Sequence, residues 1–263
     1  MTSLILDNVC VDFPIYGSQR SLRRVLFERA TGAFVQREKD RVTVKALRNI
    51  SFTLNEGDRL ALVGHNGAGK STLLRTIAGV YQPVEGRILV GGTITPLFDV
   101  LPGIDPEDTA YENIRTAGML FGLSREKIEQ IMPDIEEFSE LGEYMGLPVR
   151  TYSTGMTMRL GFAFATAMDP GILLLDEGVG AGDARFADRA AKRMEDFIGR
   201  SRIVVFASHS NALVEKMCNK AALMQGGRML AIGEVQDILE RYEVLIRGGG
   251  GVGASIDGAA APA

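Results

Sequence analysis

Gly64-His65-Asn66-Gly67-Ala68-Gly69-Lys70-Ser71-Thr72 is the stretch that decides the fold of this chain. It follows a short apolar run, Leu60-Ala61-Leu62-Val63, that reads as a strand. It precedes Leu73, Leu74, Ile77 and Ala78, whose spacing reads as a helix stopped by Gly79. Strand, glycine loop and helix in that order turn the pattern G-x-x-x-x-G-K-[ST] into a phosphate-binding P-loop. The glycines let the backbone curl until several N–H groups face one phosphate chain, and the helix adds its positive end. Lys70 is placed to reach the β- and γ-phosphates, and Ser71 to offer its hydroxyl to Mg²⁺.

Two further stretches complement the loop. In Leu173-Leu174-Leu175-Asp176-Glu177 a buried strand ends in carboxylates, and such an end lies beside the phosphate site in α/β folds. Asp176 is expected to hold Mg²⁺ through its water shell, and Glu177 to orient and polarise the attacking water. The second stretch, Tyr152-Ser153-Thr154-Gly155-Met156, opens a segment of helical texture running through Met158, Leu160, Phe162, Ala163 and Ala165. A hydroxyl-glycine turn at a helix start is either a second anion site or a plain N-cap by Ser153.

The length of 263 residues suits one large domain or a domain with a subdomain. A net charge of -4 supplies no global basic field for nucleic acid. The two cysteines, Cys10 and Cys218, make neither a disulfide framework nor a metal site and fit a reducing compartment. No run approaches the ~20 apolar residues of a membrane span, and residues 1–7 lack the basic start and apolar core of a signal peptide. Work at a membrane would therefore need a partner.

Residues 3–13 alternate as a strand, with Leu4, Leu6, Val9, Val11 and Phe13 apolar. From Pro14 to about Arg41 the chain reads as irregular and basic. Leu22, Val25 and Leu26 share one face of a short helix there, among Arg20, Arg23, Arg24 and Arg29. That helix is either simply solvated or faces a membrane or a membrane partner. Strands are expected at 42–54, 87–90 and 94–98, with turns at 55–58 and 83–86. The stretch 104–168 is helical in texture, with amphipathic segments at 112–120 and 124–138 and Ser124 as an N-cap. It is expected to form a helical subdomain inserted into an α/β core. The apolar runs 171–175 and 203–207 read as buried strands. The glycine- and alanine-rich stretch 248–263 is expected to be disordered.

Together these motifs resemble the ATP-binding cassette ATPases, the nucleotide-binding subunits of ABC transporters, from Leu4 to about Tyr242. The resemblance implies an α/β fold: a P-loop NTPase core with an antiparallel β subdomain and the helical insertion, as one ATPase domain over 1–247. It implies ATP and Mg²⁺ as cofactors, and a head-to-tail homodimer with two ATP molecules sandwiched between copies. The family signature Leu-Ser-Gly-Gly-Gln stands here as Tyr152 to Met156, so Ser153 and Gly155 would meet the partner's nucleotide. The switch histidine would be His209, in Ala207-Ser208-His209-Ser210. Asp183, in Gly180-Ala181-Gly182-Asp183, would contact across the dimer. The usual Q-loop glutamine is missing, and Asp99 stands near its place, at a metal and coupling contact. Phe13 or Tyr16 would stack on adenine. The second histidine, His65, lies inside the nucleotide loop and carries no catalytic role.

Tyr-Ser-Thr-Gly-Met followed by Arg159-Leu160, the run Asp-Glu-x-x-x-x-Gly-Asp-x-x-Phe from Asp176 to Phe186, and Asp12-Phe13-Pro14-Ile15-Tyr16-Gly17 are similar to one branch of the family. That branch comprises the ATPases of bacterial O-antigen, capsule and teichoic acid exporters. It implies export of a lipid-linked polysaccharide across the inner membrane through a polytopic permease, with this chain peripheral on the cytoplasmic face. The polysaccharide would be met only through the permease, and nucleic acid is not an expected partner. Some members carry an added carbohydrate-binding domain, which is not expected here. Three rivals are a cassette ATPase powering another membrane transporter, a soluble cassette ATPase acting on ribosomes or DNA, and a plain P-loop kinase or other NTPase that is not a transporter part. The single P-loop and the absence of heptads between Lys70 and Ser153 argue against the second. The signature turn and Asp183 argue against the third.

Overall fold

The computed structural model describes residues 1–15, 34–38, 41–98, 103–176 and 184–247. In chain order the elements are strands β1 (Ser3–Ile15), β2 (Phe34–Glu38), β3 (Arg41–Asn55) and β4 (Arg59–Val63), then helix α1 (Lys70–Ile77). Strands β5 (Glu85–Gly91) and β6 (Ile94–Pro96) precede helices α2 (Ala110–Leu120), α3 (Arg125–Ser139) and α4 (Thr154–Ala167). Strand β7 (Ile172–Asp176), helix α5 (Ala184–Arg200), strand β8 (Ile203–Ala207) and helix α6 (Asn211–Met217) follow. Strands β9 (Lys220–Gln225) and β10 (Arg228–Gly233) and helix α7 (Val235–Arg247) complete the set. The chain divides into two compact units. The first takes Met1–Ile5, Thr53–Arg59 and Leu89–Phe206; the second takes Leu6–Phe52, Leu60–Ile88 and the chain from Ala207 onward.

In the first unit β7 lies between β8 and β6, and β6 and β7 run parallel. The apolar run at 171–175 becomes β7, whose Ile172, Leu173 and Leu174 are fully buried, as a parallel strand covered on both faces requires. Strand β6 is shorter than the expected 94–98. Pro96 has no N–H to donate, and the Leu97 N–H makes the last bond, to the Leu174 carbonyl at 2.9 Å. Over 104–168 the described elements are α2, α3, α4 and two short 3-10 turns, Gly142–Gly146 and Val149–Thr151. Ile114, Ile128, Ile135, Phe138, Leu160 and Phe164 pack into one core, joined from α5 by Phe186 and Ala190.

The ends of these helices follow their capping chemistry. Helix α2 starts two residues before the expected Glu112 because Thr109 and Glu112 form a capping box. The Glu112 carboxylate accepts the Thr109 N–H at 2.9 Å, and the Thr109 hydroxyl accepts the Glu112 N–H at 3.3 Å. Those Thr109 hydrogen bonds hold the Glu112 carboxyl below the usual glutamate range. Ser124 caps α3 by accepting the Lys127 N–H at 3.3 Å.

The second unit holds a sheet of order β2-β3-β1-β5. Strand β2 corrects the expectation that the whole stretch from Pro14 to about Arg41 is irregular. Phe34 stands opposite Lys45 and Glu38 opposite Arg41 in an antiparallel pair. The stretch Phe34–Glu38 has no clean alternation, so only its partner strand reveals it. The basic helix about Leu22, Arg20 to Arg29 included, lies outside the described residues, as does 248–263.

Both β1 and β3 carry a phase slip. Leu4 and Leu6 are buried, then Val9 and Val11; likewise Leu47, then Ile50, Phe52 and Leu54. Each three-residue step contains an asparagine with left-handed backbone, Asn8 at φ 52° and Asn49 at φ 49°. An extra residue of that kind returns the apolar side chains to the same face. The Cys10 thiol donates to the Asn49 side-chain oxygen at 3.1 Å, and the Asn8 N–H donates to the Ser51 hydroxyl at 2.8 Å. Strand β5 begins at Glu85, inside the expected turn 83–86, since the Val84 N–H already bonds the Cys10 carbonyl at 2.8 Å.

In the same unit β9 lies between β10 and β4, antiparallel to β10 and parallel to β4. Ala61, Val63, Val214, Leu223, Ile238 and Leu239 form its core with α6 and α7. No helix among the described residues is long and apolar enough to cross a membrane.

Candidate functional site

The loop 64–72 joins β4 to α1, and all of it lies in the second unit. Gly64 has φ 153°, and a Cβ built there would stand 2.3 Å from the Met224 carbonyl oxygen on β9. Only a glycine lets β4 pass that close to its neighbour and still turn. Gly69 caps α1 with left-handed backbone at φ 105°. His65, Gly69, Ser71 and Thr72 are half-buried, Ala68 is buried, and Asn66 and Gly67 are exposed.

Lys70 is only 7% exposed. A buried ammonium must be hydrogen-bonded. Its Nζ donates to the Gly64 carbonyl at 2.6 Å and to the His65 carbonyl at 3.3 Å.

Several of the loop's carbonyls are engaged by donors of the protein itself. Besides those two, the Asn66 carbonyl accepts from His65 Nδ1 at 2.7 Å, and the Ala68 carbonyl from the Gly227 N–H at 3.0 Å. The Gly69 carbonyl accepts from the Leu73 N–H at 2.8 Å. In a trans peptide the C=O and N–H point opposite ways. Each carbonyl so engaged therefore aims the N–H of the next residue the opposite way. The His65 and Asn66 N–H groups thus point away from the Lys70 ammonium, and those of Gly67, Gly69 and Lys70 are the ones left to the helix N-terminus. Converging amides at a helix N-terminus, beside a held ammonium, form an anion cradle.

The cradle rests on parts that the sequence reading passed over. The turn between β9 and β10, Gly226-Gly227, donates to Ala68 from below. It is itself held by Arg48, whose N–H donates to the Gly227 carbonyl at 2.7 Å and whose Nη2 donates to the Gly226 carbonyl at 2.9 Å. Burial, then the nearby Arg228, push the Arg48 guanidinium below its ordinary pKa. The signal was present as two adjacent glycines between apolar strands. Phe13 near the end of β1 is half-buried, and its ring packs T-shaped against Tyr81 at 4.9 Å between centroids. Tyr81 was not singled out in the sequence.

The other candidates stand on named elements. His209 is exposed, between β8 and α6, and belongs to the second unit. The Ser210 N–H beside it donates to the buried Ser208 hydroxyl at 3.0 Å. In the first unit, Asp176 is the half-buried last residue of β7. Ser153 caps α4, its hydroxyl oxygen accepting the Met156 N–H at 3.3 Å. Its side chain therefore serves the helix, while its O–H remains a donor. Gly155 is half-buried in the first turn of α4. The Tyr152 hydroxyl donates to the Tyr144 carbonyl at 2.6 Å, and burial raises its pKa. Tyr16, Asp99, Glu177 and Asp183 lie outside the described residues.

Among the described residues no group of three or more His, Cys, Asp or Glu side chains could hold a metal. Mg²⁺ does not require one: it is commonly held by one or two carboxylates, waters and the substrate's phosphates. Ser71 and Asp176 are hard oxygen donors of that kind.

A family model described as ABC transporter matches residues 47–180. The O-antigen export system ATP-binding protein RfbE of Yersinia enterocolitica is 50% identical over 241 residues, spanning 91% of this chain and 100% of that protein. The teichoic acids export ATP-binding protein TagH of Listeria monocytogenes is 31% identical over 240 residues, spanning 91% of this chain and 71% of that protein. A solved ATP binding subunit of an ABC transporter matches with a TM-score of 0.63 at 23% identity, over 92% of this chain and 93% of that one. At that identity the likeness speaks for the fold.

Proposed function

The chain belongs to the ABC transporter family, and we propose that it is the ATP-hydrolysing subunit of an exporter of a lipid-linked polysaccharide, of O-antigen or capsule type, across the inner membrane. The observation that carries the chemistry is the loop 64–72, with several of its carbonyls engaged by the protein's own donors and Lys70 held on two of them. The cargo follows the O-antigen relative, matched at 50% identity along its whole length, ahead of the teichoic acid relative at 31%.

In this reading the domain spans 1–247, with 104–168 as its helical subdomain. ATP lies in the cradle, its β- and γ-phosphates on Lys70 and the loop amides. Ser71 and Asp176 would hold Mg²⁺, and Asp99 is the residue expected at the metal and coupling contact. The ion would supply Lewis-acid polarisation of the phosphoryl oxygens. Glu177 orients and polarises the water, and His209 contacts the γ-phosphate. Ser153, Gly155 and Asp183 of a second copy close over the nucleotide. Phe13 stacks on adenine, its ring packed T-shaped against Tyr81. Closure and reopening of the pair drive a polytopic membrane subunit from the cytoplasmic face, and the polysaccharide meets only that subunit.

Two assays on the native host test this. Gentle detergent extraction of its membranes should recover the chain with a polytopic membrane protein. Removing the chain should leave lipid-linked polysaccharide on the cytoplasmic side and none at the surface. Recovery with ribosomes or DNA, and an unchanged surface polysaccharide, would sink the export reading.

A further inference from the structure

Most of the loop's engaged carbonyls are held by backbone N–H groups or by Lys70. The Asn66 carbonyl differs, because its donor is the side chain of the preceding residue, His65 Nδ1 at 2.7 Å. A carbonyl oxygen only accepts, so Nδ1 must carry the proton, and in the neutral ring Nε2 then carries the lone pair. Asn66 and Gly67 are the exposed tip of the loop. His65 is half-buried and anchored at its own carbonyl by the Ala68 N–H at 3.1 Å and by Lys70 Nζ at 3.3 Å. The imidazole is thus a bracket from the fixed part of the loop to its tip. Gripping the Asn66 carbonyl orients the whole 66–67 peptide plane, because that plane is rigid. The Gly67 N–H then points away from the ring and into the cradle.

We propose that His65 is a positioning residue of the nucleotide loop: its Nδ1–H holds the Asn66 carbonyl and thereby presents the Gly67 N–H to the nucleotide's phosphates. The proposal rests on the reading of 64–72 as the nucleotide loop. It also explains why a ring whose first nitrogen sits directly on Cγ suits this position. An asparagine side chain places its amide nitrogen at the same distance along the side chain, whereas glutamine carries it one bond further.

The test uses the full chain with His65→Asn, His65→Gln, His65→Ala and, in parallel, Lys70→Ala. Binding of a fluorescent ATP analogue and steady-state hydrolysis are measured for each. A bracket acting on a ground-state phosphate contact raises KM and Kd about tenfold in His65→Ala and His65→Gln, with kcat changed less than about twofold. In His65→Asn the affinity returns to within about twofold of the original. Equal losses in all three His65 variants, or none in any, overturn the proposal. Lys70→Ala separates the two levels. If it binds ATP as the original chain does, the nucleotide-loop reading itself fails. If it loses binding while His65→Ala does not, only the His65 proposal fails. As a direct readout, ¹⁵N–¹H correlation of the imidazole should find the proton on Nδ1; a proton on Nε2 alone would overturn the bracket without any substitution.

Discussion

At the scale of single residues, the proposed function has Gly64 and Phe13 bear on the same nucleotide in different ways. A methyl group on Gly64 meets the Met224 carbonyl at 2.3 Å, and that oxygen belongs to a strand backbone that cannot swing aside. Gly64→Ala is expected to cost more than about 2 kcal/mol of stability and to abolish measurable ATP binding. Thermal unfolding and nucleotide titration check it, and an unchanged midpoint and affinity would mean the loop does not run against β9. In that reading Phe13 acts through the base rather than the phosphates. Phe13→Ala should weaken ATP binding about tenfold, as loss of one base–aromatic stack does, while leaving tripolyphosphate competition unaffected. Equal losses for both ligands would remove Phe13 from the adenine site.

At the scale of elements, the entry to α2 is tied by one buried polar side chain. Asn113 is 2% exposed. Its Nδ2 donates to the carbonyls of Asp105 at 2.9 Å, Thr109 at 3.0 Å and Asp108 at 3.3 Å, and its Oδ1 accepts the Asp105 N–H at 2.7 Å. Asn113→Leu strips these partners and should cost about 2–3 kcal/mol, or roughly 5–10 °C in Tm. Calorimetry checks it; a shift within a degree would show the turn at 105–109 to be held by other contacts. Such a residue cannot be recognised in a sequence, because its worth lies in four groups that only the folded turn assembles. The two phase slips are the opposite case. Leu6 to Val9 and Leu47 to Ile50 break alternation on the page, and Asn8 and Asn49 supply the left-handed backbone that repairs it.

At the scale of the molecule, the proposed function calls for two copies and a membrane partner. Glu177→Gln should keep ATP affinity, cut turnover by about a thousandfold and trap an ATP-dependent dimer. Native mass spectrometry with and without ATP, beside a phosphate-release assay, checks it. Rapid turnover would refute Glu177 as the carboxylate that activates water, and a monomer at saturating ATP would count against the sandwich.

The sequence by itself determined the glycine loop at 64–72, its flanking strand and helix, the buried strands β7 and β8, the helical character of 104–168, and the family. These are readable because a glycine spacing and an apolar period are local properties of the chain. Only the tertiary structure decided that β2 pairs with β3, that Arg48 and the Gly226-Gly227 turn underpin Ala68, that Tyr81 packs against Phe13, and that the His65 ring grips Asn66. The second and third join positions far apart in the chain, the first is a short-range hairpin whose strand Phe34–Glu38 has no clean alternation, and the fourth depends on which way one peptide plane faces. Neither distance nor peptide orientation is written in a local pattern: the fold must close before such groups meet.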